Sequence, residues 1–180
     1  MTDAREIGRE FGRIGRRLFT ELLLHANFGN MSIRSGDGFY ITRAGSYLDT
    51  PGEPVYVPLE GPVPPQASSE YRVHRQIYTM TPHRAVIHAH PPHAVALSLS
   101  NPTIVPVDCE GVMFCPFLPV VVGIPGSEEM AVNIARGLLS SCIAVARGHG
   151  TFAGGKNLDE AYIHTSLAEH SCRILVLTGK

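Results

Sequence analysis

Residues 84–93 read RAVIHAHPPH, an apolar run that passes into alternating histidines and stops at two prolines. The length and β-branched content of the run are those of a strand, and proline lacks the donor that a continuing strand needs. The expected strand is Arg84–His90. Side chains alternate along a strand, so His88 and His90 point to one face, and both imidazoles can reach a single ion at about 2.0–2.1 Å. Proline also suits the first turn of a helix, so Pro91 and Pro92 open an expected helix that runs to about Leu99.

Upstream, Ile7, Phe11, Ile14, Leu18 and Leu22 recur at spacings of three and four, which predicts an amphipathic helix over residues 4–24 with its arginines on a solvated face. Asn30–Arg34 and Phe39–Thr42 alternate around Gly36-Asp37-Gly38, the pattern of a β-hairpin. Prolines at 51, 54, 58, 62, 64 and 65 make the next segment a loop with one short edge strand, Val55–Pro58. Ser68 is a suitable N-cap for a helix that carries Glu70 in its first turn and ends near Thr81. Downstream, strands are expected at Ile104–Val107 and Leu118–Val122. A helix from Ser127 to Leu139, a strand Cys142–Arg147, a Gly-rich turn and a final helix from Leu158 to about Leu177 complete the chain. Helices and strands that alternate in this way argue an α/β sandwich around a mixed sheet, here one domain over residues 1–180.

Composition narrows the function. The 180 residues are 44% hydrophobic and 17% charged, which suits a chain that folds by burial alone. Lys and Arg number 15 against 16 Asp and Glu, so no net field draws the chain to nucleic acid or to an anionic membrane. A small ligand is the expected partner. The apolar stretches fall far short of the roughly 20 residues that span a bilayer, and the N-terminus reads as a helix rather than a secretion signal. The 4 cysteines form no CxxC pair, which fits free thiols in the cytoplasm.

Three segments hold groups for chemistry. His88 and His90 need at least one more ligand to make a metal site, and ARGHGTFAGG (146–155) offers His149 at the end of an apolar strand, between glycines that let the backbone turn sharply. Glu70 is a carboxylate that can complete or serve such a site. Three nitrogens leave a coordination position open, the pattern of a catalytic metal. Glycine amides, a carboxamide and hydroxyls in Gly29-Asn30-Met31-Ser32, Thr42-Arg43-Ala44-Gly45 and Ser68-Ser69 can cradle a phosphate. Each also has a structural reading: separate strand-end histidines, a helix cap at Ser68, a turn at Gly45. His93 reads as surface, and His25, His74, His83, His164 and His170 have no spacing that recommends them.

Taken together, NFGNMSIR, ITRAG, ASSEYRVHRQIY, AVIHAHPPHAVALS and ARGHGTFAGGKNLDEAYIHTSLAEHSCRIL resemble the class II aldolase/adducin-like family, and within it the fuculose-phosphate aldolase branch. The resemblance spans nearly the whole chain. It implies a three-layer α/β sandwich, with a central mixed, largely antiparallel sheet flanked by helices, and a homotetramer with active sites where subunits meet. It assigns His88, His90 and His149 as zinc ligands, with Mn2+, Co2+ or Mg2+ as other divalent occupants. Glu70 becomes the carboxylate that ligates the resting metal and acts as acid/base. Gly29, Asn30, Gly45, Ser68 and Ser69 become the phosphate cradle. The implied reaction is reversible cleavage of a ketose 1-phosphate to dihydroxyacetone phosphate and an aldehyde.

The chain departs from that pattern in three places. Ala44 stands where the second loop often carries a hydroxyl, so one phosphate contact is missing. VDCEGVMF (107–114) has no tyrosine to act as acid from the next subunit; Glu110 is the expected substitute, with a surface or interface carboxylate as its other reading. The chain stops at Lys180, short of the tail that closes over the site in some relatives, so relaxed substrate selection is expected. Methylthioribulose-1-phosphate dehydratases and ribulose-5-phosphate 4-epimerases share the fold, as do adducin-like scaffolds. Glu70 argues against the dehydratase, the short C-terminus against the epimerase, and the intact histidines against a scaffold.

Overall fold

A computed structural model describes residues 3–180. In chain order its elements are α1 (Ala4–Thr20), β1 (Asn30–Ser35), β2 (Gly38–Ile41), β3 (Val55–Pro58), α2 (Tyr71–Met80), β4 (Ala85–Ala89), α3 (Pro92–Ser98), β5 (Thr103–Ile104), α4 (Cys109–Phe114), β6 (Leu118–Val121), α5 (Glu128–Gly137), β7 (Ile143–Ala146), β8 (Gly150–Gly155) and α6 (Leu158–Thr178). The strands form one 8-stranded sheet in the order β3-β2-β1-β4-β8-β7-β6-β5. β6 and β7 run parallel and the other neighbours run antiparallel, so the sheet is mixed and largely antiparallel, as expected.

Strand parity sorts the side chains into layers. On central β4, Ala85, Ile87 and Ala89 face a cluster with Ile7, Phe11, Ile14 and Leu18 of α1 and Ala161 of α6. Val86 faces the opposite way, into a cluster with Val73, Ile77 and Tyr78 of α2 and Ala131 and Ile134 of α5. α3 and α6 cover Ile143, Val145 and Ala153 of β7 and β8. The result is the expected three-layer sandwich, and no described helix is long and apolar enough to cross a membrane.

Local chemistry shifts several boundaries. α1 ends at Thr20 instead of 24, because the chain turns through Leu22 at φ +59. Leu22 N bonds Phe19 O at 3.1 Å and Leu23 N bonds Leu18 O at 2.9 Å, which satisfies the last carbonyls of the helix. Leu22, expected on the buried stripe, is therefore 76% exposed, and Leu23 is buried instead. α2 begins at Tyr71 with Glu70 as its cap residue, so Ser68 lies in the preceding turn, where its Oγ accepts from Glu70 N at 3.4 Å. β5 is shorter than Ile104–Val107, because Pro106 supplies no donor and Val105 and Val107 stay exposed.

Two elements differ from the expected set. α4 is an addition, capped by Asp108, whose Oδ2 accepts from Gly111 N at 2.9 Å; its apolar residues Val112, Met113 and Phe114 are exposed and show no face turned to a core. β8 replaces the expected glycine-rich turn and is buried throughout between β4 and β7. Glycine is depleted in strands, but a Cβ at Gly150 would lie 2.4 Å from Ala89 O, so this pairing requires its absence.

The packing of α1 generates a paired test. A Cβ on Gly15 would sit 1.7 Å from Leu48 O, whereas one on Gly12 would meet the Arg16 side chain at 3.4 Å. Gly15→Ala should cost roughly 3 kcal/mol, the upper end for overpacking. Gly12→Ala should be neutral or gain up to about 1 kcal/mol from helix propensity. Urea denaturation midpoints measure both, and a Gly15→Ala protein as stable as the parent would refute the close approach.

Candidate functional site

β4 carries His88 at its exit, and His90 follows just beyond it. The β4–β8 register sets His88 opposite Phe152, and the two rings stack at 4.2 Å between centroids with 14° between planes. His88 Nδ1 lies 2.9 Å from Thr151 O. A carbonyl can only accept, so Nδ1 carries the proton and Nε2 is left bare, the usual arrangement of a ligating histidine. His90 Nε2 lies 2.9 Å from that nitrogen. The turn before β8 brings His149 to 4.9 Å from His88 and 5.0 Å from His90 between ring centroids. Ligating atoms of all three lie within 4.8 Å of one another.

The electrostatics suit a cation and not a proton. Burial, then repulsion from His90 and His149, holds His88 well below the usual imidazole range. Burial, with His149 and His25, lowers His90 to about 4, and burial lowers His149. Neutral imidazoles are the form that binds divalent metals. His149 Nδ1 and Glu70 Oε2 are buried without a hydrogen-bond partner among the described residues. A donor set of three imidazoles with an orphaned nitrogen and a nearby orphaned carboxylate oxygen fits a divalent ion.

The three histidines line a cavity of about 160 Å³. Gly29 and Asn30 enter it from the start of β1, Ala44 and Gly45 from the loop after β2, and Ser68, Ser69 and Glu70 from the lead-in to α2. Ser68 N bonds Thr42 O at 3.1 Å and Ala44 N bonds Gln66 O at 2.9 Å, which clamps the last two segments together. Gly29 at φ +106 and Gly45 at φ +73 hold turns that other residues strain to make. Burial raises the pKa of Glu70, which favours a carboxyl able to carry a proton.

All expected metal and phosphate residues thus line one cavity, with Glu70 outside the three-histidine cluster, and Glu110 does not join them. It lines a separate depression with Tyr162, Ser166 and His170 of α6. His93, expected at the surface, is partly buried, with its Nδ1 2.6 Å from Glu169 Oε1. Asn27, Phe28 and Arg43 also line the cavity without having been expected there, and His74 is tied to it through Asn30. Arg43 is a cation on the cavity wall, and its signal was a basic residue inside a glycine-and-hydroxyl loop. Phe28 stacks at 5.9 Å over His90, and His74 is fully buried with Nε2 2.6 Å from Asn30 Oδ1.

Comparison with known proteins agrees with this geometry. A family model described as the class II aldolase and adducin N-terminal domain matches residues 9–176. An L-fuculose phosphate aldolase of Methanococcus maripaludis is 31% identical over 170 residues, 92% of this chain and 93% of that protein. One of Methanocaldococcus jannaschii is 28% identical over 174 residues, 94% of this chain and 95% of its own. The crystal structure of L-fuculose-1-phosphate aldolase from Thermus thermophilus superposes with a TM-score of 0.92 at 38% identity, covering 96% of this chain and 94% of that one. Strand order, histidine cluster and these similarities agree that the chain belongs to the class II aldolase and adducin family.

Proposed function

We propose that the chain is a cytoplasmic, divalent-metal-dependent aldolase that reversibly cleaves a ketose 1-phosphate, of the fuculose 1-phosphate type, to dihydroxyacetone phosphate and an aldehyde such as lactaldehyde. The observation that supports it is one cavity lined together by three clustered imidazoles, the half-buried Glu70 carboxyl and the amides and hydroxyls of Gly29, Asn30, Gly45, Ser68 and Ser69. His88, His90 and His149 would hold the ion, zinc by preference with Mn2+, Co2+ or Mg2+ as substitutes, and Glu70 would be its further ligand at rest. Bound there, the ion supplies positive charge against the negative charge that develops on the ketose oxygens as the carbon–carbon bond breaks.

The protein does the rest. Glu70 returns a proton to the carbon that the aldehyde leaves, and removes it in synthesis; burial raises its pKa, the direction such a two-way role needs. The Gly29 and Gly45 amides, Asn30, Ser68 and Ser69 bind the phosphate, and Arg43 on the same wall offsets the hydroxyl missing at Ala44. Glu110 is the acid for the aldehyde oxygen. It reaches a site only as a contribution from a neighbouring copy, which is the arrangement of the homotetramer proposed here, since in its own chain it lies beside α6.

His90→Ala should lose most of its bound metal by elemental analysis. Glu70→Gln should keep appreciable metal while turnover falls about 10²-fold or more, the usual range for a general acid/base; a glutamine variant with parental turnover would remove Glu70 from that role. Incubation of metal-loaded protein with ketose 1-phosphates and 5-phosphates separates the family's chemistries, because cleavage, dehydration and epimerisation leave different products. For ketoses that are cleaved, the phosphorylated form should have a kcat/KM at least about 10²-fold higher, as expected for charge-assisted hydrogen bonds. Equal values would eliminate the phosphate cradle.

A further inference from the structure

Between the sheet and α2 a line of polar side chains runs from the interior to the cavity. Tyr78 OH lies 2.6 Å from Ser32 Oγ, Ser32 Oγ lies 2.6 Å from His74 Nδ1, and His74 Nε2 lies 2.6 Å from Asn30 Oδ1. Ser32, His74 and Tyr78 are fully buried, and Asn30 is 5% exposed. Polar groups buried this deeply destabilise the fold unless their donors are all used.

The donors allow one arrangement. Among the described residues the Tyr78 hydroxyl has no acceptor other than Ser32 Oγ, so it donates there. Burial raises the Tyr78 pKa and lowers that of His74 to about 3, so the phenol keeps its proton and the imidazole holds only one. Ser32 spends its single proton on His74 Nδ1. The ring proton then sits on Nε2 and is donated to Asn30 Oδ1. Reversing the chain would leave the Tyr78 hydroxyl buried with nothing to donate to, at the full cost of an unsatisfied group. The Asn30 carbonyl is consumed, and its Nδ2 hydrogens, which bond no protein acceptor among the described residues, are left for the cavity that Asn30 lines. Asn30 pairs across the strands with His88, so these hydrogens lie beside the histidine cluster.

We propose that His74, held in one tautomer by Ser32 and Tyr78, is a positioning residue that locks the Asn30 amide with its N–H groups toward the cavity and so makes this wall selective for a ligand group that only accepts hydrogen bonds, a phosphoryl group. The inference rests on the phosphate reading above and adds what enforces it. An asparagine free to flip would present its carbonyl as well as its N–H groups to the cavity; the relay sets its orientation before the ligand arrives, which removes a reorganisation step from binding.

The test has two arms. In the metal-loaded protein, 15N-edited NMR of the ring nitrogens should show His74 with a protonated Nε2 and a bare Nδ1, its signals identified by their loss in His74→Gln. A proton on Nδ1 would overturn the proposal. Calorimetric titration with inorganic phosphate should show affinity falling about ten-fold in His74→Leu, as expected for a lost contact to a charged group. His74→Gln, whose amide N–H reaches the place of Nε2–H, should stay within about three-fold of the parent on the same scale, and both variants should keep their metal. Leucine and glutamine variants of equal affinity would also overturn it. A parent protein that bound no phosphate would sink the phosphate reading by itself, whereas the ring tautomer would still decide how Asn30 is held.

Discussion

The antiparallel pairing of β4 with β8 is the constraint on which the site depends. It sets Phe152 under the His88 ring, delivers Thr151 O to His88 Nδ1, and starts β8 right after the turn that carries His149. The pairing of β4 with β1 on its other edge sets Asn30 opposite His88. A slip of one residue in either register would turn these side chains to the α1 face and leave the cavity without its nitrogens. Two ladders of backbone hydrogen bonds therefore position the histidine cluster and its polar wall in one operation.

The same placement has a cost in stability. His88 and His74 are buried as neutral rings, and Glu70 and His149 each carry a buried atom with no protein partner among the described residues. In a core made for stability alone such groups would be replaced by apolar side chains. Here the helices compensate. α1 contributes Ile7, Phe11, Ile14 and Leu18, all fully buried, to the opposite face of the sheet, so the polar side of β4 is carried by an apolar one.

Much of the site was legible because its signals are local. The period of two in His88 and His90, the histidine set between glycines at 149 and the hydroxyl and glycine clusters at 29–30, 44–45 and 68–69 survive as a set: His88, His90, His149 and those clusters all line the cavity. The residues that were not legible act through contacts distant along the chain. His74 stands 44 positions from Asn30 and has no helical or strand spacing with it, so nothing in the sequence distinguished it from the other scattered histidines. β8 was hidden for a related reason: Gly150 and Gly154 weaken any local case for a strand, and the strand exists because its neighbours are close enough to demand glycine.

By itself, the sequence determined the alternation of helices and strands, the face shared by His88 and His90, and the residue types available for holding a metal and a phosphate, because periodicity and side-chain chemistry are properties of neighbours in the chain. Only the tertiary structure decided that His149, Glu70 and the glycine loops share one cavity, that Glu110 lies outside it in its own chain, and that a buried tyrosine, serine and histidine orient Asn30. Those outcomes depend on strand register and on where buried donors find acceptors, and both are settled only when segments remote in sequence pack together.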